Sequence, residues 1–367
     1  MQAPKATLSV WRALPAWSVV APVAACIALA VTWDRTLGWL LIALVAVVLV
    51  SVVLAAIHHA EVVAHRVGEP FGTLILALSI TVIEAGLIVS IMLAGGSTAL
   101  TVARDTVFAA VMIICTGVLG LCILVGTVRH RTMAYRIEGT SPALAVLASL
   151  AVLTLVLPSY TTSTTGPSFS SAQLAFAGTI SLVLYGVFVF VQTVRHRDYF
   201  LPVDADNLQS HAVPPTTRRT LASFALLLVC LLAVIGLAKT LAPAIEAGVR
   251  AASAPVAVVG IAIAMLVLLP ETGAAVRSAA ADRMQTSLNL ALGSALASIG
   301  LTIPTVAVVA ILLGLPLELG LAPKETVLLA LTLLVATLTR GGGRATVLQG
   351  AVHLVLFAAF MFLAVVP

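Results

Sequence analysis

The chain alternates long apolar runs with short polar breaks. Eleven apolar segments recur along it, at 16–33, 38–58, 71–94, 105–127, 142–158, 172–194, 220–240, 254–276, 287–313, 325–339 and 346–366. At about 1.5 Å of rise per residue, a run of roughly twenty residues crosses a hydrocarbon core ~30 Å thick. Lipid offers no partner to an exposed backbone, so each run must be a helix or a barrel strand. The two-residue alternation of a barrel is missing, which predicts an all-α polytopic membrane protein with eleven transmembrane helices. The longest polar interruption, 195–219 (RHRDYFLPVDADNLQSHAVPPTTRR), has Pro, Asp and Arg but no apolar period and reads as a linker.

With 1–37 set aside as an N-terminal segment and an extra helix, five helices precede the linker (38–194) and five follow it (220–367). Five is odd, so a duplicated five-helix unit must sit upside down relative to its copy, the inverted-repeat logic of secondary transporters. Residues 1–15 lack a cleavable signal pattern, so the first run is expected to stay as a helix. With the N-terminus in the cytoplasm, fourteen Lys and Arg fall on the inner side and five on the outer. That split predicts a cytoplasmic N-terminus, a cytoplasmic linker and a C-terminus outside.

Composition narrows the function classes. The chain is 61% hydrophobic and 9% charged, which excludes a soluble globular protein and implies the lipid bilayer as solvent. Its net charge of +5 comes from loop arginines, with no basic run interleaved with aromatics, so it is not read as binding nucleic acid. Cys26, Cys115, Cys122 and Cys230 lie in apolar runs without metal-ligand spacing and read as small core residues. No P-loop, HExxH, GxSxG or nucleotide-binding glycine pattern occurs, so no cofactor and no enzyme activity are expected.

Two acids break the apolar pattern. Glu84 lies midway along GEPFGTLILALSITVIEAGLIVSIML, and Glu271 follows Pro270 in PVAVVGIAIAMLVLLPETG. Each has a Pro 14 or 16 residues before it and a Gly two places after it. A carboxylate in the bilayer costs roughly 2.5–3.5 kcal/mol on insertion scales, so each should face the protein interior and mark an ion or proton path. The competing readings are a protonated acid that packs helices (Glu84) and the first residue of a surface turn (Glu271). Thr81 and Ser79 add oxygen near Glu84, which suits hard cations. Pro270 is expected to kink or interrupt its helix and free carbonyls beside Glu271.

Other polar residues fall into weaker groups. In 286–304, Asn289, Gly293 and Gly300 fall near one face, with Ser294 and Ser298 flanking; close helix packing competes with a site role, most strongly for the Gly and Ser positions. Thr116 and Gly117 are the thinner counterpart in the first half. His58, Glu61 and His65 share a helical face before the Gly68–Pro70 turn and, with Glu69, read as a cytoplasmic vestibule or a solvated face. His353, in the last segment, reads as a packed, hydrogen-bonded histidine ahead of a proton relay.

The stretches GEPFGTLILALSITVIEAGLIVS, LLPETGAAVRSAAADRMQTSLNLALGSALASIGLTIP and GAVHLVLFAAF together resemble the bacterial sodium/calcium:proton antiporter family. This is the cation/proton exchanger branch of the calcium/cation antiporter superfamily. The resemblance covers nearly the whole chain. It implies one extra helix plus two inverted five-helix repeats, and a cation site formed by the repeat glutamates, which carries over onto Glu84 and Glu271. Relatives that exchange calcium commonly carry Asn three residues before each glutamate, where this chain has Thr81 and Leu268. Ca²⁺, Na⁺ and K⁺ therefore all stay open as the cation exchanged for H⁺ by alternating access. The oligomeric state is left open. A passive cation channel and a non-transporting cation sensor are the other classes compatible with the same helices.

Overall fold

A computed structural model describes residues 14–33, 35, 37–68, 71–96, 99–200 and 215–366. The chain is helical almost throughout. In order, the helices are α1 (Ala16–Thr32), α2 (Trp39–Val67), α3 (Phe71–Ala94), α4 (Val102–Met112), α5 (Leu119–His130), α6 (Ile137–Ala151), α7 (Ser171–Phe190), α8 (Thr217–Ala251), α9 (Ala257–Ala280), α10 (Met284–Leu313), α11 (Pro323–Arg340) and α12 (Val347–Val365). A π-helical turn, Ile113–Val118, joins α4 to α5 in one continuous rod, so the twelve helices make eleven rods. Among the described residues, nine are long and apolar enough to cross a bilayer. Of the other two, α1 has 17 residues, and α11 carries Lys324, Glu325 and Arg340 at its ends.

The rods follow the expected segments, with differences at their ends. The second rod does not stop at residue 58 but continues to Val67, because AEVVAHRV holds no breaker before Gly68, whose φ of +77° ends the helix. The seventh runs on through Pro243 to Ala251. The sole strand pair among the described residues, β1 (Met133–Ala134) with β2 (Arg344–Ala345), ties the loop after α5 to the loop after α11. Cys115, Cys122 and Cys230 are buried as expected, but Cys26 is exposed. It lies on the lipid-facing side of α1, near Val20, Val23, Ile27 and Val31.

The chain divides into two compact units, Met1–Ser90 with His211–Ala244, and Ile91–Ser210 with Ile245–Pro367. In the first, α1 packs on α2. Gly236 of α8 lets Leu29 of α1 approach so closely that a Cβ there would lie 2.7 Å from the leucine side chain. Ser90 shares its hydroxyl proton between the Gly86 carbonyl (2.6 Å) and the Ile235 carbonyl of α8 (3.1 Å).

In the second unit, α10 is the central rod and packs on α6, α7 and α9, while α4 packs on α9 and α12 on α5. Small residues set these crossings. A Cβ on Gly260 would lie 2.6 Å from the backbone of Asp105, and one on Gly300 would lie 2.7 Å from the Cβ of Tyr185. Loops predicted to share a side also meet within this unit. His130 reaches the Ala280 carbonyl and Arg136 the Asp198 carbonyl, whereas Arg104 bonds to the Gly320 carbonyl and Lys324 to that of Leu363. Buried Tyr135 donates its hydroxyl to the Thr339 carbonyl at 2.8 Å. Burial pushes that phenol up to about 12, which keeps it a donor.

Candidate cation site

Glu84 sits mid-helix in α3 and is 3% exposed, among buried Ile80, Thr81, Ile83, Ala85 and Leu87. Thr81 donates its hydroxyl proton to the Ala77 carbonyl at 2.9 Å, and Ser79 donates to the Ile75 carbonyl at 2.7 Å. With their protons committed to the helix, both hydroxyls offer only oxygen lone pairs to a neighbour. Such oxygens are what a hard cation requires.

Glu271 lies in the second unit. It does not begin a surface turn: α9 continues unbroken through Pro270 to Ala280, so the expected interruption of the helix is absent. What Pro270 removes is one backbone bond, to the carbonyl four residues back at Leu266. The residue is half-buried and both carboxylate oxygens are shielded from solvent. Thr272 beside it bonds back to the Leu268 carbonyl at 2.8 Å.

Helix register places the neighbours of Glu271. The antiparallel helices α9 and α10 pack on each other. Glu271 is nine residues before the end of α9 at Ala280, and Gly293 is nine residues after the start of α10 at Met284. Both are thus about 13–14 Å from the intervening turn, with half-buried Ser294 at nearly the same level. Among the described residues nothing lies within 4 Å of a Cβ built on Gly293, unlike Gly300, so there is open space at the level of the acid. The π-helical turn carrying buried Thr116 packs on both α9 and α10, and Thr116 bonds back to the Met112 carbonyl. Thr116 is fourteen residues after Val102, as Glu271 is after Ala257, so the two lie at similar depth.

Asn289 lies one turn nearer the α9–α10 connection, and its amide is engaged at both ends. It donates to the Phe200 carbonyl at 2.5 Å and accepts from Gln285 at 3.0 Å, while Gln285 accepts from the Arg136 backbone at 2.7 Å. That network ties α10 to two loops. Ser298 is buried on the same helix. Among the described residues no three His, Cys, Asp or Glu side chains gather as a metal site. Hydroxyl oxygens of Ser79 and Thr81 near Glu84 and of Thr272 next to Glu271 are the neutral oxygens the helices place by each carboxylate in sequence.

His58, Glu61 and His65, at i, i+3 and i+7, fall on one face of the continuous helix α2. Glu61 and His65 are exposed, and half-buried His58 lies 5.3 Å from the Trp17 ring and 5.7 Å from that of His59. Glu69 lies outside the described residues. His353 is buried, with both ring nitrogens hydrogen-bonded, as expected of a packed histidine.

Two polar residues were passed over in the sequence. Fully buried His59 holds the Ser18 carbonyl at 2.8 Å. Its signal was Pro22, four residues after Ser18. Asp105, 7% exposed, is held by Arg104 at 2.9 Å and Thr101 at 2.8 Å. Its signal was the Thr101–Asp105 spacing of one helical turn.

Comparison with known proteins agrees with this architecture. The family described as "Sodium/calcium exchanger protein" matches residues 36–194 and 222–366. The chain is 48% identical over 357 residues to the "Putative ionic transporter y4hA" of Sinorhizobium fredii, covering 96% of this chain and 97% of that one. It is 34% identical over 316 residues to the "Sodium-potassium/proton antiporter ChaA" of Escherichia coli, covering 85% of each. Among solved structures, the fold resembles native YfkE (TM-score 0.71, 16% identity, covering 96% of this chain and 99% of that one). It also resembles the H⁺/Ca²⁺ exchanger CAX (TM-score 0.69, 14% identity, covering 94% and 86%).

Proposed function

The chain belongs to the sodium/calcium exchanger protein family, and from that premise we propose that it is a secondary antiporter exchanging Na⁺, K⁺ or Ca²⁺ for H⁺. Glu84 and Glu271, one on each five-helix repeat, are the groups that take up either cation or protons. Access to them alternates between the two sides of a bacterial inner membrane, with the N-terminus inside and the C-terminus outside. The single observation that carries the reading is the burial of a carboxylate at the middle of α3 and another at the middle of α9. An acid in that position is retained against an insertion cost of roughly 2.5–3.5 kcal/mol.

Each carboxylate has hydroxyl company suited to a hard cation: Thr81 near Glu84, with Ser294 and Thr116 at the depth of Glu271. Two carboxylates are neutralised equally by two protons or by one Ca²⁺, so the same pair serves either exchange. The resemblance to a sodium-potassium/proton antiporter at 34% identity favours the monovalent cations as the first to test.

Proton movement should be followed in inverted vesicles challenged in turn with Na⁺, K⁺ and Ca²⁺. Glu84→Gln and Glu271→Gln fix a neutral side chain at each position. Each variant should insert normally and lose cation-driven proton flux, while apparent cation affinity of the native protein rises with pH as competing protons leave. Robust exchange in either Gln variant would rule out the mechanism.

A further inference from the structure

The π-helical turn between α4 and α5 leaves a backbone group to be accounted for. In a regular α-helix the Leu119 N–H would bond to the Cys115 carbonyl, four residues back. Here it bonds to the carbonyls of Ile114 and Thr116, so the Cys115 oxygen does not receive the Leu119 N–H that a regular α-helix would give it. Cys115 is fully buried, and a buried carbonyl without a donor is costly in a bilayer.

His353 of α12 fills the gap. Its Nδ1 lies 2.7 Å from the Cys115 oxygen, and its Nε2 lies 3.0 Å from the Thr339 hydroxyl. A ring nitrogen facing a carbonyl must carry the hydrogen, so the neutral ring is protonated at Nδ1 and Nε2 accepts from Thr339. The ring is held there by its backbone. A Cβ on Gly120 would lie 2.9 Å from the His353 Cβ, and one on Gly350 would lie 2.9 Å from the Leu124 nitrogen, so α5 and α12 cross with backbones nearly touching.

We infer that His353 is a positioning residue for cation exchange: it supplies the donor that the π-helical turn denies Cys115, and so holds that turn, with Thr116, against α9, which bears Glu271. Without that donor the rod gains by returning to regular α-helix. Because α-helix and π-turn differ in residues per turn, the change would rotate Thr116 and everything in α5 relative to α9 and α10. The inference rests on the glutamate reading above, which it deepens by naming what sets the register of the turn packed on the Glu271 helix.

Three variants separate the roles of the two ring nitrogens in the full-length protein. The amide of Asn branches at Cγ, as Nδ1 does, and can donate to Cys115; that of Gln reaches one carbon further, towards Thr339; Leu does neither. In vesicle assays of cation-driven proton flux, His353→Asn should keep the half-saturating cation concentration within about twofold of the native value. His353→Gln and His353→Leu should each raise it about tenfold at equal membrane abundance. Nitrogen-15 spectra of histidine-labelled protein should show a neutral ring protonated at Nδ1 that disappears in His353→Asn.

Gln performing as well as Asn, Leu matching the native protein, or a ring protonated at Nε2 would each overturn the inference. If Leu prevents folding, the Asn–Gln contrast still decides. Loss of exchange in Glu271→Gln with native affinity in His353→Leu would sink this inference alone. Exchange persisting in Glu271→Gln would sink the glutamate reading, and the ring protonation state would then decide whether His353 holds the turn.

Discussion

Pro22 and His59 should behave as one unit when either is changed. Pro22 lies inside α1 and has no N–H for the Ser18 carbonyl four residues before it. His59 of α2 donates to that oxygen from Nε2 at 2.8 Å, and Ser18 and His59 are both 0% exposed. His59→Phe keeps a ring of similar size but removes the donor, leaving a buried carbonyl whose desolvation costs about 1–3 kcal/mol. Part of this is offset, because Nδ1 of His59 is buried without a hydrogen-bond partner among the described residues and Phe removes it. The net cost should be about 1–2 kcal/mol, roughly five- to thirtyfold in the unfolding equilibrium. In a Pro22→Ala background the Ser18 oxygen regains an in-helix donor, and the same His59→Phe change should then cost well under about 1 kcal/mol. Reversible unfolding in lipid bicelles, run on the four members of the cycle, measures the coupling. Equal cost of His59→Phe in both backgrounds would show that the histidine is not repairing the proline break.

Three further outcomes follow from single residues. Gly300→Ala should destabilise by about 1–3 kcal/mol through overpacking against Tyr185, while Gly293→Ala should leave thermal stability unchanged and weaken apparent cation affinity; thermal melts and vesicle flux separate the two. Tyr135→Phe should cost about 1 kcal/mol for the lost bond to Thr339. With its phenol raised to about 12, that bond stays protonated in the folded chain; its contribution is complete below about pH 10, where the unfolded phenol begins to ionise, and declines as pH rises towards 12, as unfolding against pH would show. Pro270→Ala should restore the bond to the Leu266 carbonyl in an already continuous α9 and weaken cation dependence of exchange; unchanged apparent affinity would reduce the proline to a packing feature.

The rods were legible because a bilayer leaves a chain few choices. An apolar run near twenty residues long must be a spanning helix, and nine of the eleven expected segments ended within a few residues of the observed rods, α2 and α8 running on further. Where α2 ran on for another two turns, the cause was local: the polar residues His58, Glu61 and His65 break hydropathy but not helix geometry. Glu84 and Glu271 were legible as acids in apolar helices. The π-helical turn at Ile113–Val118 was not, since DTVFAAVMIICTGVLG carries no proline, and Gly117 and Gly120 read equally well as close-packing positions in a regular helix. The partners of Asn289 were equally hidden, because its bonds to Gln285 and Phe200 join residues whose proximity depends on how the loops fold back. Gly293 and Gly300 read alike in sequence and differ only in what stands opposite each.

Ionisable groups in membrane helices invite one functional reading, yet this chain divides them by donor chemistry. His59 and His353 each donate from one ring nitrogen to a carbonyl released from its own helix, one by Pro22 and the other by the π-helical turn. A neutral imidazole can do this because it always carries one N–H. An ionised carboxylate cannot, since it has only acceptors to offer, and a released carbonyl beside it repels rather than satisfies it. Glu84 and Glu271 in their charged forms therefore cannot serve as backbone repairs. Such an acid is satisfied by hydrogen-bond donors, by a proton or by a cation, and a mid-helix carboxylate that takes proton and cation in turn is what the proposed exchange needs. The same physics thus sets the two buried histidines to bonding released backbone, and it is compatible with the transport role proposed above for the two acids.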